Sequence, residues 1–259
     1  MEFRLLGGIG AVADGRQVDL GPARQRSVLA ALLMDVGRTV PVDQLVQRVW
    51  ADAPPKRAKD TLYSYLSRLR RLLPCAIDRL PGGYVMTADA QAIDVHRFRR
   101  LLAAARAETD DSIALAAYEE ALGLWCGEPF AGADAPWFNA TREALVRERL
   151  AAELDCTDLR LRLGQHTALQ AELSERCAAH PLDERMAAQY MLALYRCGRQ
   201  ADALAHYRRV RRLLREELGI DPGGRLQELH EAVLAGGAGP GAPAGQAGGA
   251  AGGGGGGAP

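Results

Sequence analysis

Residues 61–73 read TLYSYLSRLRRLL, and this stretch decides the fold of the N-terminal part of the chain. On a helix that turns 100° per residue, Leu62, Leu66, Leu69 and Leu73 fall into one narrow stripe. The opposite face carries Arg57, Ser64, Ser67, Arg68 and Arg71, with Thr61 and Tyr65 on its shoulder. This pattern predicts a helix that packs by its leucines and turns its arginines and hydroxyls outward.

The charge of this region is concentrated, although the whole chain carries 32 basic and 32 acidic residues. Between Asp60 and Asp78 there is no acidic residue, whereas a surface helix with a purely structural role commonly interleaves Glu with Lys or Arg. Arginine can donate two hydrogen bonds to guanine, and serine or threonine can bond base edges or phosphates. The face therefore suits the major groove of DNA, and docking on an acidic protein partner is the alternative.

The segments around this helix predict a winged helix. Residues 1–20 form short strands, separated by glycine-containing turns at 7–8 and 14–15. Two helices follow, one opened by Pro22 and one by Pro41. Behind the third helix, residues 76–80 and 84–87 flank a Pro-Gly-Gly turn and predict a β-hairpin. In this arrangement the third helix enters the major groove, and the hairpin, or wing, can reach the neighbouring minor groove.

From Val95 onward the pattern is helical, and alanine-rich helices joined by short loops predict stacked helical hairpins. The expected helices span 96–107, 112–125, 136–164, 166–179, 183–197, 200–218 and 223–234. The expected fold class is mainly α: a winged helix with three helices and a β-hairpin wing, then an all-α tetratricopeptide-like domain. The expected domains are 1–93 for DNA binding, 94–235 for the helical domain, and 236–259 for a disordered tail rich in Gly, Ala and Pro.

Enzymatic, metal-binding and membrane functions find no support in the sequence. The five cysteines form no CxxC pair, the five histidines show no ligand spacing, and no Gly-x-Ser-x-Gly occurs. We therefore expect a protein that is not an enzyme and holds no metal and no cofactor. The start shows no signal-peptide pattern, and no apolar run is long enough to cross a bilayer, so a cytoplasmic protein is expected.

Several dense blocks, in order, resemble the family of Streptomyces antibiotic regulatory proteins. They are FRLLG at 3–7, QRSVLAALL at 25–33, LVQRVW at 45–50, TLYSYLSRLRRLL at 61–73, GY at 83–84, ALGLWCGEP at 121–129, HPLDER at 180–185, ALYRCGRQADAL at 193–204 and ELGIDP at 217–222. The resemblance implies an OmpR-type winged helix, a fold shared with two-component effectors, and a bacterial transcriptional activation domain. It further implies an activator of antibiotic biosynthesis that binds direct repeats near the −35 region and recruits RNA polymerase.

The resemblance also assigns roles to individual residues. Thr61, Ser64, Tyr65 and Arg68 become groove-facing residues, and Lys59, Arg70 and Arg71 become phosphate contacts, while Arg79, Gly83 and Tyr84 belong to the wing. The loop 51–57, with Asp52, Lys56 and Arg57, resembles the segment that touches polymerase. Related winged helices often carry an arginine where this chain has Leu80, so the wing departs from the pattern. No nucleotide-binding motif follows the helical part, so the resemblance is to the small members of the family.

Two classes of function remain after these arguments. The first is a sequence-specific activator with double-stranded DNA and RNA polymerase holoenzyme as partners, a homodimer at least on DNA. The second is a helical scaffold or adaptor whose basic helix docks on a protein. A DNA reader loses affinity steeply with salt and prefers its site over random DNA, whereas a scaffold shows neither property.

Overall fold

The computed structural model of the protein describes residues 1–73 and 75–236. The chain starts with three short antiparallel strands, β1 (Glu2–Arg4), β2 (Gly10–Ala13) and β3 (Arg16–Gln17), in the order β1-β2-β3. Asp14 and Gly15 connect β2 to β3 with positive φ angles of 51° and 74°. Both angles belong to the tight hairpin turn that an Asp-Gly pair favours, as the sequence predicted.

Three helices form the centre of the winged helix: α1 (Ala23–Met34), α2 (Val42–Trp50) and α3 (Ala58–Leu72). Pro22 and Pro41 occupy the N-cap positions of α1 and α2, as expected from their place in the sequence. The leucine stripe of α3 is buried: Leu62, Leu66 and Leu69 are 0% exposed, and Leu73 is 5% exposed. Since α1 packs against both α2 and α3, this stripe faces the shared core.

The wing consists of β4 (Ala76–Leu80) and β5 (Gly83–Thr87), which pair in antiparallel register with Arg79 opposite Tyr84. Its inner strand is tied to the segment before α2. Val40 donates its N–H to the Tyr84 carbonyl at 2.7 Å, and Tyr84 donates back to the Val40 carbonyl at 2.9 Å. The wing is therefore fixed to the helices along one side by backbone hydrogen bonds.

A short 3₁₀ turn (Ala90–Ala92) and seven further helices complete the described part of the chain. They are α4 (Asp94–Ala107), α5 (Asp111–Gly123), α6 (Pro136–Arg162), α7 (His166–Ala179), α8 (Glu184–Arg196), α9 (Gln200–Leu218) and α10 (Gly224–Leu234). Consecutive helices pack as hairpins, α4 with α5, α5 with α6, α7 with α8, and α8 with α9. The expected fold class, a winged helix followed by a helical domain, is confirmed, with helix bounds that agree to within two residues.

The carboxylate of Asp94 links the N-terminal sheet to α4. Asp94 accepts the N–H of Leu5 at 2.7 Å and the N–H of Leu6 at 2.9 Å, and it also accepts the N–H of Val95 at 2.8 Å. Burial raises the pKa of Asp94, and these hydrogen bonds oppose that rise because they stabilise the charged form. The first residue of α4 therefore satisfies backbone groups of the segment that follows β1.

The chain divides into two compact units, one spanning Met1–Leu163 and one starting at Gly164. In the first unit α4, α5 and α6 share one hydrophobic core with the winged helix. Arg48 of α2 contributes to this association: its guanidinium lies 4.5 Å from the centre of the Trp137 ring of α6 and also pairs with Asp35. The boundary at residues 93 and 94 that the sequence suggested stays a prediction, as does the tail, which apart from Gly236 lies outside the described residues.

None of the helices in the described part of the chain is long and apolar enough to cross a membrane.

Gly83 gives a direct test of how the wing is seated. A Cβ atom at this position would lie 2.1 Å from the Val40 carbonyl oxygen and 2.9 Å from the Pro41 Cα, and both are backbone atoms that cannot turn aside. We expect Gly83→Ala to lower the free energy of unfolding of the first unit by about 1–3 kcal/mol or more, because the wing must move away from Val40. Urea unfolding followed by tryptophan fluorescence measures this, since Trp50, Trp125 and Trp137 all lie in that unit.

The matched control is Gly123→Ala at the end of α5, where an added Cβ meets nothing within 4 Å. Alanine is the better helix former by about 1 kcal/mol, so this change should leave stability equal or slightly higher. Equal stabilities of the two variants would contradict the close approach of the wing to Val40.

Candidate nucleic-acid interface

The outer face of α3 presents cations without partners. Arg57, Arg68 and Arg71 are exposed, and Ser64 and Ser67 are exposed on the same side. Neither Arg68 nor Arg71 forms a hydrogen bond or an ion pair with any residue in 1–73 or 75–236. Their guanidinium groups therefore keep all their donors for a ligand, and a planar fork of donors suits guanine or phosphate oxygens.

Two hydroxyl groups on this side of the helix donate their protons to backbone carbonyls, so towards a ligand they can act as acceptors. Thr61 donates its Oγ1 proton to the Arg57 carbonyl at 3.1 Å, and Ser64 donates its Oγ proton to the Asp60 carbonyl at 3.0 Å. Such bonds back along a helix use the hydroxyl proton and leave the oxygen lone pairs exposed. In this arrangement Thr61 and Ser64 can accept from the amino group of adenine or cytosine in a major groove.

The Tyr65 ring packs against the last residue of α2. Its ring stacks on Trp50 with a centroid distance of 6.3 Å and an interplanar angle of 10°. Tyr65 is half-buried, and Trp50 is 9% exposed. The contact fixes the ring orientation, so that only part of Tyr65 is available to a ligand.

Lys59, at the start of α3, already has an acidic neighbour. Its Nζ lies 2.8 Å from Asp43 Oδ1, and the hydrogen bond and charge of Asp43 raise the pKa of Lys59. Both side chains are largely exposed, and exposed pairs of this kind contribute little to stability. A phosphate group can therefore compete with Asp43 for this ammonium.

Arg70, which the sequence suggested as a phosphate contact, is exposed and also contacts the wing. Its Nε donates to the Ile77 carbonyl of β4 at 2.5 Å, and its guanidinium lies 5.4 Å from the Tyr84 ring centre. Arg79 of the wing lies 5.7 Å from the Tyr63 ring, and the Tyr63 and Tyr84 ring centres are 6.2 Å apart. We call these four side chains, Tyr63, Arg70, Arg79 and Tyr84, the wing clamp.

Two of the predicted DNA-binding residues in the wing, Gly83 and Tyr84, are buried. Tyr84 is 4% exposed, and Gly83 is buried against Val40, so neither presents a side chain to solvent. Both residues hold the wing in place. Arg79 is exposed and keeps donors free beyond its contact with Tyr63.

The predicted polymerase-contacting loop protrudes between α2 and α3. Asp52, Lys56 and Arg57 are all exposed, and none of them makes an ion pair with a described residue. Ala51 ends α2 with a positive φ of 50°, a conformation that a residue with a side chain seldom adopts. That sharp turn directs the loop away from α2.

The wing clamp contains a residue that the sequence argument overlooked, Tyr63. Measured from Leu62, Tyr63 lies at about 100° and Arg70 at about 80° on the helix, so they share one shoulder. Because the two residues lie at nearly the same angle, helix periodicity alone could have predicted that Arg70 is on the same side of α3 as Tyr63. No group of three or more His, Cys, Asp or Glu side chains able to hold a metal ion occurs in residues 1–73 and 75–236.

Each of the two parts of the chain matches a family model built from known proteins. A family model described as bacterial transcriptional activator domain matches residues 93–234. A second model, described as transcriptional regulatory protein, C terminal, matches residues 15–87. The solved structure of Mycobacterium tuberculosis EmbR in complex with a low-affinity phosphopeptide has a TM-score of 0.85 and 32% identity, covering 92% of this chain and 65% of that chain.

Full-length relatives agree with these matches. DnrI of Streptomyces peucetius is 34% identical over 90% of this chain and 92% of its own length. RedD of Streptomyces coelicolor is 32% identical over 91% of this chain and 71% of its own length. AfsR of Streptomyces coelicolor is 40% identical, but the chain spans only 24% of that relative.

A winged helix followed by a bacterial transcriptional activator domain defines the class of protein as a transcriptional regulator. Within that class, the chain belongs to the family of Streptomyces antibiotic regulatory proteins. The scaffold alternative has less support, since both family models that match the chain describe transcriptional proteins.

The wing clamp predicts that Arg70 and Arg71 behave differently when replaced. Arg70→Ala removes a hydrogen bond to the wing backbone and a cation–π contact, so we expect the first unit to lose about 1–2 kcal/mol of stability. Amide hydrogen exchange in β4 and β5 should accelerate as well. Arg71→Ala, one position away and without a described partner, should change neither quantity. Equal exchange rates in the two variants would contradict the clamp.

Proposed function

We propose that this chain is a sequence-specific activator that binds double-stranded DNA through α3. The single observation that supports this most strongly is the division of α3 into a buried leucine stripe and an outer face where Arg57, Arg68 and Arg71 have no acidic partner among the described residues. The buried stripe fixes the rotation of the helix about its axis. The outer face therefore meets a ligand in one orientation, as base recognition requires.

We assign the contacts on this face according to their chemistry. Arg68, one turn beyond Ser64 on the same side of the helix, reads base edges. Arg71 and Lys59 bind phosphates, which set position and affinity without reading sequence. Arg79 belongs to the wing and reaches the adjacent backbone or minor groove.

The rest of the proposed function follows from the family. The regulated genes are a secondary-metabolite cluster, such as an antibiotic cluster, and the site is a direct repeat near the −35 region. On a direct repeat, two copies of the chain bind head to tail, because a twofold interface would require an inverted repeat. The loop 51–57, with exposed Asp52, Lys56 and Arg57, contacts RNA polymerase and recruits it.

Binding to tiled promoter fragments from the protein's own genomic neighbourhood tests this function. We expect one or two fragments to be retained against random competitor DNA, with a preference of about 10³-fold or more and a steep loss of affinity with salt. Equal weak binding to every fragment would contradict independent recognition by the chain. Absence of binding at low salt would contradict DNA binding altogether.

Arg68→Ala should separate base reading from phosphate binding. On the retained fragment we expect a loss of about 1–3 kcal/mol and a relaxed preference at one base position, while random DNA is bound as before. Arg71→Ala is the matched control: it should weaken cognate and random DNA alike and reduce the salt slope by about 1. If Arg68→Ala weakened both DNAs equally, Arg68 would be a phosphate contact.

A further inference from the structure

A second arginine-rich helix lies in the unit that starts at Gly164. Residues 208–215 of α9 read RRVRRLLR, and no acidic residue stands between Asp202 and Glu216. Outside this run, the described part of the unit contains ten acidic and five basic residues. The positive charge on α9 is therefore local, as it is on α3.

Four of these arginines share one side of the helix. Arg208, Arg211, Arg212 and Arg215 fall within a sector of about 100°, and all four are exposed; we call them the arginine face. The other side of α9, with Tyr207, Val210 and Leu214, is buried in the core of the unit. The arginine face thus points to solvent along two turns of helix.

The fifth arginine of the run has a structural role and is not part of this face. Arg209 Nη2 lies 2.9 Å from His206 Nδ1, and His206 is 5% exposed. Burial, together with the charge of Arg209, lowers the pKa of His206 to about 4, so the neutral imidazole accepts this hydrogen bond.

One carboxylate partly neutralises the face. Asp221 accepts from Arg215 at 2.9 Å and from Arg211 at 3.2 Å, and the pKa of Asp221 is lowered chiefly by Arg215. Arg208 and Arg212 have no acidic partner among the described residues, although Arg208 Nε contacts the Leu204 carbonyl of its own helix. Among the described carboxylates, Asp221 alone forms ion pairs with the arginine face.

This arrangement is unfavourable for a helix without a ligand. Arg208 and Arg212 are four residues apart, as are Arg211 and Arg215, and like charges at this spacing destabilise a helix, although Asp221 offsets the second pair. A solvated structural face would gain from Glu at one of each pair. An anionic ligand removes the repulsion, and several guanidinium groups in a row match a row of phosphates.

We propose that the arginine face of α9 binds the sugar-phosphate backbone of duplex DNA without reading its bases. This proposal rests on the proposed function. An acidic protein partner fits less well, because protein interfaces are anchored by apolar or aromatic side chains. None of the exposed large apolar side chains among the described residues lies between Arg208 and Arg215. The exposed Leu218 and Ile220 lie beyond this run, at the end of α9, where the Ile220 N–H donates to the Leu214 carbonyl at 3.4 Å.

The test uses the full chain with Arg208→Ala and Arg212→Ala combined, on a long duplex that contains the retained fragment and on a random duplex. The two changes should reduce the salt slope of log affinity by about 2 on both duplexes, since each phosphate contact contributes about 0.9. The preference for the cognate duplex over the random one should stay unchanged. The helix should remain folded, because alanine favours it.

Two further variants serve as controls. Arg147→Ala combined with Arg225→Ala removes two exposed cations without described partners elsewhere, and it should leave the slope nearly unchanged. Arg208→Lys combined with Arg212→Lys should keep the salt slope of the unmodified chain, because a phosphate contact needs a cation and not a particular fork of donors.

Three outcomes would overturn the proposal. The first is an unchanged slope in the double alanine variant. The second is an equal change in the Arg147 and Arg225 control, which would show a general effect of net charge. The third is unchanged DNA binding with a loss of polymerase-dependent transcription, which would assign the face to an acidic protein. Loss of sequence preference by the unmodified protein would contradict the proposed function, whereas the slopes on random duplex would still decide the role of this face.

Discussion

Burial of three leucines on α3 and of Leu73 at its C-terminal cap is the constraint on which the candidate interface depends. Leu62, Leu66 and Leu69 are completely buried and Leu73 nearly so, which leaves the helix one orientation about its axis. Rotation by one residue would expose a leucine and bury Arg68 or Arg71, and burial of an unpaired charge is far costlier than loss of one apolar contact. The apolar side of the helix therefore determines what its polar side presents.

The wing is positioned by contacts of a different kind. Backbone hydrogen bonds tie Tyr84 to Val40 on one side, and Arg70 reaches the Ile77 carbonyl on the other. Gly83 permits the first contact, because no side chain separates its backbone from Val40. Arg70 thus couples the helix proposed to read DNA to the hairpin beside it. Basic residues on one helix consequently differ in their contacts, since the exposed Arg70 also contacts the wing whereas Arg71 has no partner among the described residues.

Much of the fold followed from periodicity and from turn residues. The helix bounds, the Asp14-Gly15 turn and the leucine stripe could be predicted because each depends on a few neighbouring residues. The association of α4 to α6 with the winged helix could not, because it depends on distant contacts such as Asp94 with Leu5 and Arg48 with Trp137. In the candidate site, the exposed positions of Ser64, Arg68 and Arg71 followed from helix angles alone. The burial of Tyr84 and the engagement of Arg70 depend on where the wing packs, and no local pattern encodes that.

The most direct test of the account is a double-mutant cycle between Arg68 and a guanine of the bound site. Each guanine is replaced in turn by 7-deazaguanine, which lacks the N7 acceptor in the major groove, and affinities are measured for the unmodified chain and for Arg68→Ala. The account predicts one guanine whose replacement weakens the unmodified chain by about 1–3 kcal/mol and leaves the Arg68→Ala variant unaffected. Losses that simply add at every guanine would contradict base reading by the outer face of α3.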